Sequence, residues 1–294
     1  MLLPILSKLT SESLLSLYPI FVKKIGISNV LQLWTRLITY VVIAAFFVDW
    51  SFIWSTIGSL DSITLALVNL SHIYFSYEGF RHLDSGVSFA IFNSYPLMIL
   101  LLGGVMWHKS YLLVLIGLAL FIYGNYTEKQ DKNGNQDKNQ DEILNKDKKE
   151  EKILDKDPVD FYYGLGMILL AALTEAFIYF LVRRVKTMNH WNHVFISYFF
   201  GAVIMSLYIM KERQIMNDIR VGIAVLVNGI IGSVGYFLRF FASYRLEPSV
   251  YAPLSYFGVV MSYVYGMLFD NETLNWKKVL GTVSILASNY FAPN

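Results

Sequence analysis

Long apolar runs, broken at short intervals by polar or small residues, dominate this chain. A bilayer core about 30 Å thick takes roughly 20 apolar residues of helix to cross. Measured by that length, the sequence has ten candidate stretches, near 3–22, 30–48, 62–80, 85–107, 110–126, 160–182, 192–210, 220–240, 249–269 and 276–293. They lack the two-residue alternation of membrane strands, so helices are expected throughout. The first stretch is interrupted by Lys8, Ser11, Glu12, Ser13 and Ser16. It reads as a span rather than a signal peptide, because no basic residue precedes the apolar run and no small-x-small site follows it. Most linkers have 3 to 13 residues, which makes successive spans antiparallel neighbours. Trp50, Trp54, Trp107, Trp191 and Trp276 fall at span edges, where amphipathic rings settle among lipid headgroups.

Composition sharpens this picture. Of 294 residues, 55% are apolar and 16% charged, against a globular norm of roughly 25% charged. Much of that charge sits in one place: positions 128–157 hold 8 Lys and 10 acidic residues, leaving 16 basic and 12 acidic side chains for the other 264 positions. A single water-soluble domain cannot cover its surface with so little charge. The chain has no Cys, which excludes a disulfide scaffold and a thiolate metal site. A net charge of +2, scattered along the chain, gives no footprint for nucleic acid. No Walker loop, HExxH or G-x-S-x-G motif is found, so neither an enzyme nor a cofactor is expected. His72, His82, His108, His190 and His193 are scattered, and no metal site is expected either.

The charged segment repeats itself internally. Gln130-Asp131-Lys132-Asn133 is echoed by Gln136-Asp137-Lys138-Asn139, the mark of low-complexity expansion. With few apolar residues it is expected to stay disordered as a solvated tether, the alternative being a binding tail. The expected organisation is a five-helix unit over 1–126, a linker over 127–159 and a second five-helix unit over 160–294.

The two units align with each other. At an offset of about 163, Leu83-Asp84-Ser85-Gly86-Val87 falls on Leu246-Glu247-Pro248-Ser249-Val250, and one residue further on Gly117 falls on Gly281. Gly124-Asn125-Tyr126 falls on Ser288-Asn289-Tyr290 in the same register. At an offset of 160, Val22-Lys23-Lys24 meets Val182-Arg183-Arg184. A repeat with an odd number of spans returns on the opposite side of the membrane, so the second copy is inserted upside down. Inverted repeats commonly build alternating-access carriers, with the solute site near midplane between the repeats. A purely structural duplication is the alternative.

The stretches Leu83 to Tyr126 and Leu246 to Tyr290 resemble the two halves of the EamA-type drug/metabolite transporter superfamily. The resemblance rests on Ala252-Pro253-Leu254-Ser255-Tyr256, Phe269-Asp270-Asn271-Glu272 and Gly281 in the second half. In the first half it rests on Ala90, Tyr95-Pro96-Leu97 and Gly117, with Arg36 where the family's second span often begins. It implies an all-α integral membrane fold of ten transmembrane helices in two inverted five-helix repeats, and no particular substrate. Two departures stand out: Lys109 replaces the family's acidic residue before the fifth span, and the 128–157 insert is unusually long and charged. Basic residues number sixteen on the side of the insert and five on the other, which would put the insert in the cytoplasm. The resemblance implies the reverse, with both termini cytoplasmic, and that orientation is adopted as the expectation. Plasma and internal membranes both stay open.

Ionisable and polar side chains inside spans are costly and therefore candidates for function. Asn228, Gly232, Gly235 and Arg239 recur at helical spacing on the eighth span, and Tyr251, Ser255, Gly258, Ser262 and Tyr265 on the ninth. Asn69, His72, Ser76 and Gly79 share a face of the third span, and Ser88, Phe92 and Tyr95 lie on the fourth. From these stripes Asn69, His72, Ser76, Tyr95, Asn228, Arg239, Tyr251, Ser255 and Ser262 are the candidate solute-binding residues. Interhelical packing is the plainer reading of each, with Arg239 snorkelling from its span end. Glu12 and Glu175 are candidate sites for a coupling proton, because desolvation favours a neutral carboxyl. Lys8, four residues before Glu12, would instead neutralise it.

The expected function is secondary active transport of a small organic metabolite across a lipid bilayer. An amino acid or related amine comes first, and a nucleotide sugar or other nucleotide-linked solute second. A coupling proton or an exchanged metabolite would drive it. The rival from another class is a non-transporting scaffold that displays the charged linker.

Overall fold

The computed structural model describes residues 2–102, 111–124, 158–212, 218–243, 245–246 and 248–290. The charged linker, Lys109, Asn125 and Tyr126 lie outside the described residues. What is described is helical, joined by turns. The first half contributes α1 (Leu2–Leu15), α2 (Tyr18–Lys24), α3 (Asn29–Ala45), α4 (Trp50–Thr56), α5 (Leu60–His82), α6 (Ser85–Phe92) and α7 (Tyr95–Leu102), then α8 (Tyr111–Gly124). The second contributes α9 (Pro158–Val182), α10 (His190–Glu212), α11 (Ile219–Val227), a single π-helical turn (Asn228–Gly232), α12 (Ser233–Ser243), α13 (Pro248–Phe269) and α14 (Trp276–Tyr290).

Among the described residues, three helical segments are long and apolar enough to cross a membrane: Val159–Val182, His190–Lys211 and Ile219–Ala242. Of the other expected stretches, the third and ninth are continuous helices of 23 and 22 residues, α5 and α13, and others are interrupted for a local reason. The first splits into α1 and α2 at Ser16–Leu17, because Pro19 at the start of α2 has no N–H to offer the preceding turn. The second is followed by α4, which Asp49 starts by accepting from the amides of Ser51 and Phe52. That helix meets α5 at a bend of 94°. The fourth divides at Asn93–Ser94, just before Pro96, into α6 and α7.

Helices of one half pack chiefly on helices of the other. The most extensive contacts pair α5 with α9, α3 with α10 and α1 with α12, and then α5 with α10, α1 and α6 with α13, and α7 with α9. Small residues permit the closest approaches. A Cβ on Gly79 of α5 would lie 2.9 Å from the Ile168 Cβ of α9, and one on Gly117 of α8 would lie 2.7 Å from the Gly281 carbonyl of α14. Tyr40, Tyr77, Tyr198, Leu37, Ile73 and Ile168 are fully buried where these helices cross. Exposed apolar side chains such as Leu67, Leu112, Leu207, Leu226, Val260 and Val283 cover the outside, as a lipid-facing surface requires.

Candidate functional site

A cavity of about 630 Å³ runs into the bundle between α5, α7, α9, α10, α12 and α13. Asn69, Tyr95, Glu175, Tyr179, Tyr198, Tyr236, Arg239 and Tyr251 line its polar surface, with Ile178, Val182, Phe240 and Leu246 between them. Arg183, Lys186, Thr187 and Met188, from the connection between α9 and α10, line its mouth. Met188 is 84% exposed, so the mouth reaches the surface. The volume suits a metabolite-sized solute.

At the inner end a carboxylate is shared between two partners. Glu175 Oε1 lies 3.1 Å from Arg239 Nη2, and Oε2 lies 3.6 Å from His72 Nε2. The other imidazole nitrogen, Nδ1, is 3.1 Å from the Ala171 carbonyl. A carbonyl can only accept, so Nδ1 carries a proton, and Nε2 is the nitrogen that faces Glu175. Ser76 donates to the His72 carbonyl at 2.7 Å. The Phe92 ring packs 5.7 Å from the imidazole.

A second pair lies beside the first. Lys8 donates to Glu12 one turn below it on α1, and its Nζ sits 3.8 Å above the Tyr251 ring, which lines the cavity. Both residues are buried. Gly258 makes room for this pair, since a Cβ there would fall 2.7 Å from Glu12 Oε2.

Behind the Tyr236 wall is a third cation. Arg36 is 3% exposed and donates to the Tyr236 hydroxyl at 2.9 Å. Its guanidinium faces the rings of Tyr18, Tyr40, Tyr77 and Tyr236 at 4.4, 5.5, 5.5 and 5.4 Å. Ring faces and hydroxyls take the place of a carboxylate there. The π-helical turn fits against this cage: Asn228 donates to Thr35 at 2.8 Å, and Gly232 leaves space for the hydroxyls of Tyr40 and Tyr18. One extra residue in that turn rotates α12 relative to α11, so Asn228 and Gly232 face α3, Gly235 faces α1, and Arg239 faces Glu175.

The end of the bundle opposite the mouth is tied shut. α9 begins beside His82 and Leu83 and ends at the mouth, about 37 Å away at 1.5 Å per residue for its 25 residues. At the far end Lys23 donates to Ser85 Oγ at 3.2 Å, Asp270 at 2.9 Å and Glu272 at 2.6 Å. Glu272 Oε1 also accepts from the Ser85 amide and hydroxyl. Lys24 pairs with Asp270 at 3.0 Å, and Lys278 with Asp84 at 2.6 Å. Asn271, at a φ of 50°, turns the chain so that its neighbours Asp270 and Glu272 both reach Lys23. Burial alone would raise the Asp270 carboxyl, but the Lys23 and Lys24 ammonium groups outweigh it and hold it below the usual carboxylate range.

The residues singled out from sequence therefore fall in three places. Asn69, Tyr95, Arg239, Tyr251 and Glu175 line the cavity, and His72 touches Glu175. Ser76, Asn228 and Glu12 sit in the layer behind it. Ser255 is buried, its hydroxyl without a partner among the described residues, and Ser262 belongs to the closed end, donating to the Ser85 carbonyl at 2.9 Å. Tyr198 and Tyr236 line the cavity although the sequence pattern does not single them out. Tyr236 stands three residues before Arg239, a spacing that would have found it; Tyr198, in line with Trp191 and Phe195 on α10, carries no such signal.

Residues 162–292, from the first turn of α9 to past the end of α14, match the EamA-like transporter family. The stretch Leu246 to Tyr290, which carries the second half of the resemblance, lies inside that match. The chain is also 24% identical over 87 residues, 29% of its length, to an uncharacterized protein of Methanocaldococcus jannaschii. It spans 64% of that relative's length. The family match and the apolar membrane-length helices both point to an integral membrane protein.

Proposed function

We propose that this chain, whose second half is of EamA-like transporter type, is a secondary carrier that moves a small organic solute by alternating access. The observation that carries the reading is the asymmetry of the bundle. A cavity holding buried charges opens at one end, while ion pairs between the halves close the other.

Two inverted five-helix repeats, ten spans in all, suit the packing. An inverted pair is related by a two-fold axis in the membrane plane. Such an axis generates contacts in matched sets. It pairs α5 on α9 with α1 on α12, and α1 on α13 with α7 on α9. It also brings equivalent residues onto each other, as Gly117 meets Gly281, its counterpart in the sequence alignment. With both termini cytoplasmic, the mouth at residues 183–188 opens to the cytoplasm.

The test is thermal stability of the purified chain against a metabolite panel, followed by exchange of whichever solute stabilises it in proteoliposomes. A ligand at a hundred times its dissociation constant adds about 2.7 kcal/mol, which is readily measured. Selective stabilisation and saturable exchange are expected. A cooperatively melting sample that neither responds to any solute class nor exchanges one overturns the carrier in favour of a scaffold.

A further inference from the structure

The cavity is richer in cations than in anions. Among its described lining residues Arg183, Lys186 and Arg239 stand against Glu175 alone. Behind the wall Lys8 is balanced by Glu12, whereas Arg36 has no carboxylate within 4.0 Å among the described residues. A buried guanidinium served only by phenols leaves a positive field in the inner end of the cavity. Such a field repels an amine and attracts an anion.

We infer that the cavity takes an organic anion whose carboxylate or phosphate replaces Glu175 on Arg239, and that the displaced Glu175 then pairs with His72, which takes up one proton at Nε2. This rests on the carrier reading of the cavity. Glu175 already directs one oxygen to each partner, so the exchange needs a small rotation of its side chain. Arg239 offers two parallel N–H groups, which match a carboxylate or phosphate edge. The groups facing His72 make the two events interdependent. Arg239 on α12 and Arg36 on α3 repel a charge on the imidazole, and Glu175 on α9 attracts one. Ser76 on α5, Thr174 on α9 and the Phe92 ring on α6 are uncharged. An anion seated on Arg239 cancels one repulsion and releases Glu175 to His72.

The charges balance. Before binding, Arg239 and Glu175 pair and His72 is neutral. Afterwards Arg239 pairs with the solute, and protonated His72 pairs with Glu175. The one bond formed is N–H; its proton comes from hydronium or a buffer acid in the open mouth, whose bond to that proton breaks, and a monoanion crosses with no net charge. Five tyrosine side chains on the wall give the solute's body ring faces and hydroxyls to lie against.

The experiment is calorimetric titration of the full purified chain with four probes: phenyl phosphate, phenylpyruvate, phenethylamine and benzyl alcohol. Buffers of different ionisation enthalpy give the proton count. The two anions are expected to bind in preference to the amine and the alcohol. The proton count is read from phenylpyruvate, a monoanion at neutral pH, which should bring close to one proton, since phenyl phosphate itself titrates at about pH 6. Arg239→Gln should weaken anion binding tenfold or more, and Arg239→Lys should weaken it less, which keeps the test alive if the glutamine variant does not fold. His72→Gln should still bind the anions, with no proton taken up. Preference for the amine, no binding of either anion, or unchanged anion affinity in both arginine variants overturns the assignment of the solute. Anion binding without proton uptake, or uptake that persists in His72→Gln, overturns the coupling. If proteoliposomes exchange a neutral or cationic solute instead, this inference fails while the carrier reading stands.

Discussion

Gly232 and Gly222 lie ten residues apart, on either side of the start of the π-helical turn, and their surroundings could hardly differ more. A Cβ on Gly232 would fall 1.8 Å from the Tyr40 hydroxyl and 2.1 Å from that of Tyr18, whereas one on Gly222 would meet nothing within 4 Å. The two hydroxyls bond each other at 2.7 Å and their rings enclose Arg36. Gly232→Ala must therefore push the cage apart, and overpacking of this kind costs about 1–3 kcal/mol. Gly222→Ala should leave the thermal midpoint unchanged or slightly raised, because alanine favours helix. Midpoints of the two purified variants check this; equal midpoints would refute close packing of Gly232 against the cage. At this scale the sequence is informative wherever charge or a hydroxyl recurs at helical spacing. Glu175 and Arg239, 64 positions apart, both stand out there, but nothing in the sequence says that they touch. Tyr198 is invisible because, beside Phe195, Phe199 and Phe200, it looks like one more core aromatic.

At the scale of elements, the closed end is a junction of α2, α6, α13 and α14, held by Lys23, Asp84, Ser85, Asp270, Glu272 and Lys278. Ser262 lies under it, fully buried. The chain has no native Cys, so Ser262→Cys gives a clean reporter. It should resist a membrane-impermeant maleimide in the otherwise unchanged chain and react several-fold faster when combined with Glu272→Gln, which leaves Lys23 one anion short. Equal rates would remove the junction from any gating role. The same reporter tests pH. Because the Asp270 carboxyl is held low by Lys23 and Lys24, its contribution to closure is present above the unfolded carboxyl value near 3.9 and is lost as pH falls through its lower folded value. Labelling, taken relative to that of the denatured chain at the same pH so that the falling thiolate fraction cancels, should therefore stay slow from neutral pH down to about 4 and rise only below that. A rise already complete at pH 6 would show that another group controls the junction. The sequence places an acidic turn before the last span, but the left-handed Asn271 that points both carboxylates at Lys23 is visible only in the structure.

For the whole molecule, the arrangement of the halves makes two predictions. Met188 stands at the mouth and is 84% exposed. With cytoplasmic termini, Met188→Cys should be protected from impermeant maleimide in intact cells and labelled after permeabilisation; labelling in intact cells would reverse the orientation. Deletion of 128–157 should leave solute exchange within about twofold, since the linker is read as a tether between units that pack on each other directly. Loss of exchange with the bundle still folded would give the linker a role in transport.

The sequence by itself determined that the chain is helical and membrane-embedded, because apolar length and scarcity of charge are properties each stretch carries alone. Short motifs that align between the halves are legible there too, as are the few charges that would have to lie inside the bundle. What only the tertiary structure decided was the pairing: Glu175 between Arg239 and His72, Lys8 against Glu12, and Arg36 among four tyrosines. It also decided which end is open, since a mouth and a closed junction both depend on helices distant in the chain. The physical reason is range. Hydrophobicity and helix breaks act between residues a turn or two apart, whereas a charge in a membrane is satisfied by whichever partner the packing brings to it.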